Sequence, residues 1–177
     1  TFPCHERVTD YRLELNIADA VTTTQYDVDG VTYKREVFAS FADDVVVVRL
    51  TASKKGALAF TANLSSPLKA QVAAENGALV MRGASDGKDN LPGGKLKFTT
   101  VLRAETDGGE VVAGNDGLRV SGASAVTLFV SIGTNFVNYK DISGDADKRA
   151  FAALDAADGR KYAKLLKAHT GKYQHYF

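Results

Sequence analysis

Several residue types and patterns are scarce in this 177-residue chain. Cys4 is the only cysteine and there is no tryptophan, which excludes an intrachain disulfide and argues against a cysteine-based metal site. The longest apolar runs, residues 45–48 and 126–130, are far too short to cross a bilayer. The 22 basic and 21 acidic residues nearly balance, and the basic ones are scattered. We therefore expect neither nucleic acid nor a membrane as a partner.

The chain is instead rich in short strand patterns separated by turn signals. Residues 11–17 place apolar side chains at odd positions, which is typical of a half-buried strand. Asp29-Gly30 and Asn76-Gly77 are typical of tight hairpins, and residues 45–52 are expected to form a strand buried on both faces. Roughly ten such strands, joined mainly by turns, predict a mainly-β chain folded as an antiparallel β-sandwich.

The pattern changes to helix after Asp145. Residues 146–157 are rich in alanine, and a second helix is predicted after Asp158. Its apolar residues share one stripe at spacings of three and four: Tyr162, Leu165, Leu166, His169 and Tyr173. Monomeric proteins tend not to expose a continuous apolar stripe. We therefore predict that these five residues form an interdomain interface. In the isolated chain the stripe must either fold back on the sandwich or meet another copy of the chain, and self-association is the outcome we predict.

Several segments, taken in order, have a family likeness. They are residues 11–15, residues 30–40, the strand ending Val48-Arg49-Leu50, residues 134–145, and His169 followed by Tyr173-Gln174. Together they resemble the N-terminal β-sandwich domain of glycoside hydrolase family 95, the bacterial inverting α-L-fucosidases. The resemblance implies a super-sandwich at residues 1–144 that lacks its leading strands. It also implies that residues 145–177 are a helical linker toward an α/α toroid catalytic domain of the same polypeptide.

The same resemblance implies an activity for the complete protein. Such enzymes hydrolyse terminal α-L-fucosyl linkages of an oligosaccharide and are usually periplasmic or secreted. Inverting hydrolysis needs an acid and a base about 6.5–9.5 Å apart, and in the family both belong to the toroid. No matching motif occurs in this sequence, so we assign no catalytic residue and predict that the chain alone hydrolyses nothing. Gly93-Gly94 lies between strands and is a turn rather than a phosphate loop, so no cofactor is expected.

Two other functions stay open: an independent carbohydrate-binding sandwich and a structural assembly domain. The first is weakened by the absence of tryptophan, which sugar-binding platforms often use. Asn135, Asn138 and Tyr139 are the candidate carbohydrate-facing residues, because they could hydrogen-bond to a sugar and stack on it. The alternative for these three residues is an interdomain joint or a turn.

The acidic residues have structural interpretations that compete with chemical ones. Asp43-Asp44 is expected to be a solvated turn rather than an acid/base pair. Asp141, Asp145 and Asp147 loosely match the alternating ligands of a calcium loop, but the rest of that pattern, including its distal Glu, is missing. We predict instead that Asp145 caps the helix that follows it and that no metal is bound.

Overall fold

The computed structural model describes residues 2–3, 5–85 and 95–176. Cys4, Gly93-Gly94 and Phe177 lie outside the described residues. Within that part the chain forms eleven strands followed by two helices: β1 (Thr9–Asn16), β2 (Val21–Val28), β3 (Val31–Ser40), β4 (Val45–Ala52), β5 (Leu58–Ala62), β6 (Ala70–Glu75), β7 (Ala78–Ala84), β8 (Lys97–Asp107), β9 (Glu110–Gly114), β10 (Gly117–Ala123), β11 (Ala125–Thr134), α1 (Ala146–Ala157) and α2 (Tyr162–Tyr176).

The strands form two antiparallel sheets, which confirms the predicted sandwich. The larger sheet has eight strands in the order β1-β2-β3-β4-β11-β8-β7-β6, and the smaller has three in the order β5-β10-β9. The small sheet packs on one face of the large sheet, over β4, β7 and β8, while α1 and α2 pack on the opposite face. The large sheet is therefore the middle layer of three.

The middle layer is buried on both faces because its central strands are apolar at successive positions. On β11, Val126 and Leu128 point into the core between the sheets, whereas Phe129 points into the core under the helices. On β4, Val47 points toward the helices and Leu50 toward the small sheet, and both are buried. The prediction of a strand buried on both faces is thus confirmed.

The tight hairpins are formed where the sequence predicts them. Asp29 and Gly30 have φ values of 48° and 76°, and Asn76 and Gly77 have values of 50° and 76°. Two successive residues with positive φ are the requirement of a type I′ turn, which matches the twist of the strands it joins. These turns fix the registers of the β2–β3 and β6–β7 pairs.

The prediction that residues 11–17 form a half-buried strand is wrong in its burial. β1 is an edge strand of the large sheet, and each of its residues is exposed. The physical reason is the width of the small sheet, which lies over the other half of the large sheet and leaves the β1 end uncovered. Alternation identifies an amphipathic strand but does not show that anything covers its apolar side.

The helices are packed against the sandwich and share a core with it. Ala150, Leu154 and Leu165 are buried in one cluster with Phe38 and Val47 of the large sheet. The secondary structure therefore changes at residue 145, but the strands and the helices on either side of it share one hydrophobic core. Among the described residues, neither helix combines the length and the apolar character needed to cross a membrane.

Candidate functional site

The connection between β11 and α1, residues 135–144, contains the three candidate carbohydrate-facing residues. Its centre is a tight turn in which Asn138 and Asp141 exchange backbone hydrogen bonds, each of 3.0 Å. The Asn138 side-chain oxygen accepts from the Lys140 backbone N–H at 2.9 Å, so this side chain stabilises the turn. Two residues lie between them, and one of these, Tyr139, is left highly exposed by the turn.

Asn135 does not face solvent in this structure, and its assignment as a carbohydrate-facing residue stays a prediction. The residue is 8% exposed. Its side-chain oxygen accepts from the Lys97 backbone N–H at 2.8 Å, and its amide nitrogen donates to the carbonyls of Lys95 and Ile142 at 3.0 and 2.9 Å. The amide therefore ties the start of β8 to the loop before α1. These hydrogen bonds lie within the domain and give the side chain a structural role in it.

Tyr139 is the most exposed of the large apolar side chains that the structure describes as exposed, at 84%. The Lys140 ammonium group lies 5.2 Å from the centre of its ring. Phe136, Val137 and Ile142 of the same loop are also partly exposed. A protruding aromatic ring beside hydrogen-bonding side chains is the chemistry that stacks on the apolar face of a sugar ring.

A polar cleft of about 420 Å³ lies beside this loop, between β7, β8 and the start of α1. Its main feature is Arg82, which binds both carboxylate oxygens of Glu75 at 2.5 and 2.9 Å and donates through Nε to Asp147 at 2.8 Å. Asp147 also accepts from the Thr99 hydroxyl at 2.5 Å. The network fastens the first turn of α1 to the large sheet.

Two carboxylates of this network have a lowered pKa. The Thr99 hydroxyl and the Arg82 guanidinium hold the pKa of Asp147 below its ordinary value, and the hydrogen bond from Arg82 lowers the pKa of Glu75. A glycosidase acid needs a raised pKa so that it keeps its proton near neutral pH. Asp147 and Glu75 are therefore structural anions. No sequence signal pairs Arg82 with Asp147, because they are 65 residues apart.

The three carboxylates that suggested a calcium loop have different partners. Asp145 accepts from the Lys148 backbone N–H at 2.9 Å, which confirms the predicted cap of α1. Asp141 accepts from the Ser143 backbone N–H at 2.8 Å, and Asp147 belongs to the Arg82 network. Across residues 2–3, 5–85 and 95–176, no group of three or more His, Cys, Asp or Glu side chains is placed to hold a metal ion.

The side chain of Asp43, predicted to lie in a solvated turn, is buried and paired. The turn between β3 and β4 is present, and Asp44 has a positive φ of 54°. The Asp43 side chain, however, is 4% exposed; it forms an ion pair with Arg160 from the α1–α2 connection and accepts from the Ser40 hydroxyl. Arg160 lies 117 residues away in sequence, so no local sequence pattern predicts the pair.

The apolar stripe of α2 faces the domain's own sheet instead of solvent. Leu165 is fully buried and His169 is 4% exposed, while Tyr162, Leu166 and Tyr173 are partly buried. The His169 ring stacks on Phe38 with 4.7 Å between ring centres. Of the two outcomes open for the stripe in the isolated chain, the structure shows the stripe folded back on the sandwich. The role of these residues at an interface with a catalytic domain stays a prediction.

Three side chains near the end of α2 bind the turn between β1 and β2. His169 Nε2 lies 2.9 Å from the carbonyl of Asp19, the Tyr173 hydroxyl donates to the carbonyl of Ile17 at 2.8 Å, and the Gln174 amide donates to that of Ala18 at 3.2 Å. Backbone carbonyls that the turn leaves without strand partners are thereby satisfied. We call this contact the α2 clasp.

Comparison with known proteins places the fold in a wider group. The chain is 27% identical over 190 residues to "Alpha-L-fucosidase 2" of Arabidopsis thaliana, an alignment that covers 94% of this chain and 22% of the relative. It thus spans less than a quarter of that protein's length. A solved structure of a candidate kojibiose phosphorylase from the human microbiome superposes with a TM-score of 0.59 and 11% identity. That superposition covers 96% of this chain and 25% of the other, and at this identity it shows the fold alone.

A family model described as "Glycosyl hydrolase family 65, N-terminal domain" matches residues 1–139. This stretch contains all eleven strands of the described part of the chain. The match supports the predicted kind of domain, an N-terminal and non-catalytic one of a glycoside hydrolase. It carries a different family number from family 95, so the finer family assignment is not confirmed. The chain belongs to the family of N-terminal domains of glycosyl hydrolase family 65.

Proposed function

We propose that this chain is the N-terminal non-catalytic domain of an α-L-fucosidase similar to those of family 95. The complete protein would hydrolyse terminal α-L-fucosyl linkages of an oligosaccharide, with an α/α toroid of the same polypeptide supplying the acid and the base. The observation that carries the proposal is the alignment of 94% of this chain with 22% of a protein named an α-L-fucosidase. The remaining length of such a relative is sufficient for a separate catalytic domain.

In this proposal the domain supports the toroid and contributes a wall to its cleft. The loop of residues 135–144 is the part of the domain suited to that wall, because Tyr139 presents an open ring. The loop is held firmly at its base by Asn135 and by Arg149, which donates to the carbonyls of Thr134 and Phe136. A rigid base under an exposed aromatic residue lowers the entropy cost of ordering that residue on a sugar. We also propose that the enzyme is periplasmic or secreted.

The activity is tested by comparing the complete protein with the 177-residue chain on a nitrophenyl α-L-fucoside. We expect hydrolysis by the complete protein and none by the chain alone, because no acid/base motif that matches the family's occurs in this sequence. A nitrophenyl galactoside serves as the specificity control. Cleavage that requires inorganic phosphate, or no cleavage of the fucoside by the complete protein, would contradict the proposal.

The role of the loop is tested in the complete protein with Tyr139→Ala. We expect a higher KM for a fucosylated oligosaccharide, while KM for the small nitrophenyl fucoside changes little, because only the larger substrate would reach this wall. Tyr176→Ala is the matched control, since Tyr176 is another exposed tyrosine, at 69%, but lies at the end of α2. Saturable binding of the oligosaccharide by the chain alone, lost in Tyr139→Ala, would favour a free-standing binding module instead.

A further inference from the structure

The side of α2 that is turned away from the large sheet is positively charged. Residues 160–176 contain five of the 22 Lys and Arg residues of the chain and none of its 21 Asp and Glu residues. Within the helix, Lys164, Lys167, Lys172 and His175 are all exposed. Their positions along the helix place them on one side, away from its buried residues. We call these four residues the basic face of α2.

The lysines of the basic face have no acidic partner within the described residues. No ion pair of this part of the chain involves Lys164, Lys167 or Lys172. Lys172 instead lies over the rings of Phe41 and Tyr176, 5.7 and 5.5 Å from their centres. Like charges three or four positions apart destabilise a helix. The spacing of Lys164 and Lys167 is therefore unfavourable until an acidic group from elsewhere lies beside them.

An open groove of about 730 Å³ lies among these charges, between α2 and the turn that joins β3 to β4. Its other lining residues are small: Ala42, Ala168 and Gly171. Apart from the neighbours of Gly171 along the helix, no atom of the described residues lies within 4 Å of the position that a Cβ would take there. A partner can thus approach the helix closely. An apolar centre with a polar rim is the usual arrangement of a protein–protein interface.

The lining of the groove fits an acidic protein surface better than an anionic sugar chain. Among the described residues, no Phe, Tyr, Asn or Gln lines it, so it lacks both a phenyl ring for stacking and a side-chain amide for hydroxyl groups. The nearby rings of Phe41 and Tyr176 contact each other edge to face, with 6.0 Å between their centres. Aspartate and glutamate side chains at the rim of an interface would meet the lysines with complementary charge.

We infer that the basic face of α2 binds an acidic surface of the catalytic domain of the same polypeptide. This contact rests on the proposed function, which supplies that domain, and on the matching model, which describes an N-terminal domain. The apolar stripe of α2 packs inside the sandwich, which leaves the basic face as the side of the helix for the second domain. Since the two domains are tethered, their effective concentration favours this partner over a separate protein.

The test is carbodiimide cross-linking of the complete protein, followed by mass spectrometry. The reagent joins an ammonium group directly to a carboxylate that it contacts. We expect Lys164, Lys167 or Lys172 to be linked to Asp or Glu residues that follow residue 177. A mixture of isotopically labelled and unlabelled protein shows whether each link lies within one molecule. Lys54-Lys55, an exposed pair between β4 and β5, is the internal control and should form no such link.

Charge reversal makes the same test quantitative. Lys164→Glu/Lys172→Glu in the complete protein should reduce severalfold the yield of links at the remaining Lys167, because the acidic surface is then repelled. Lys54→Glu/Lys55→Glu introduces the same change of charge elsewhere and should leave that yield unchanged. Circular dichroism should show that both variants fold.

Three results would overturn the inference. The lysines of the basic face could link only to carboxylates within residues 1–177, or only between molecules. The yield at Lys167 could be the same in both double variants. The lysines could also form no link and be shielded from acetylation only by added heparin, which would favour an anionic sugar chain. Hydrolysis of the fucoside by the same preparation tests the proposed activity separately, so a protein that hydrolyses without these links contradicts the inference alone.

Discussion

Replacing Leu165 by alanine tests whether α2 belongs to the cooperative core of the domain. Leu165 is fully buried in the cluster formed by the large sheet and the helices, together with Phe38 and Leu154. Truncation of a buried leucine removes its transfer free energy and leaves a cavity, which together cost about 2–5 kcal/mol. We expect about 3 kcal/mol here, which in a domain of this size lowers the melting temperature by roughly 6–12 °C.

Leu166→Ala is the internal control for that measurement. Leu166 lies on the same helix, so both substitutions change helix propensity equally, but it is only partly buried against the same cluster. We expect a cost of about 1 kcal/mol. Urea unfolding followed by far-ultraviolet circular dichroism gives both values. Equal costs below about 0.5 kcal/mol for the two variants would refute the reasoning, because α2 would then be a linker that the sandwich does not need.

Three further outcomes follow from the polar contacts. Asp145→Ala should cost about 1 kcal/mol through loss of the α1 cap, and calcium that raised the melting temperature of the wild type but not of this variant would instead favour a metal site. Arg160→Met should cost more than Asp43→Asn, by about 1–2 kcal/mol in urea unfolding, because it leaves a buried carboxylate without its cation; the reverse order would show that Asp43 is hydrated. The pKa of Asp147 is lower in the folded chain than its ordinary value of 3.8. This difference stabilises the fold at pH values above 3.8, and the stabilisation is lost as the pH falls through the lower pKa of the folded state. Asp147→Asn should therefore flatten the acid limb of the stability profile, and an unchanged limb would show that Arg82 does not hold the charge.

The features that the sequence predicts correctly are local. The Asn76-Gly77 hairpin, the Asp145 cap and the doubly buried β4 each depend on residues within a few positions of one another, where sterics and hydrogen bonding fix the backbone. The α2 stripe was also a correct pattern, but periodicity shows only that a helix has an apolar face. It does not show which surface receives that face.

What the sequence did not predict depends on contacts between distant segments. Asp43 and Arg160 are 117 residues apart, and a carboxylate in a turn is normally solvated, so burial of this one has no local signal. Asn135 was a candidate for a sugar contact because its amide group can hydrogen-bond. Its three hydrogen bonds depend on the start of β8, which only the folded sheet brings near.

The α2 clasp has a consequence for the order in which the domain is made. It joins residues 150–156 positions apart along the chain, so the carbonyls of the turn after β1 cannot meet these side chains until α2 has been synthesised. During translation the turn therefore depends on water for these hydrogen bonds while the rest of the sandwich emerges. A nascent chain that ends before residue 169 offers none of the three side chains of the clasp.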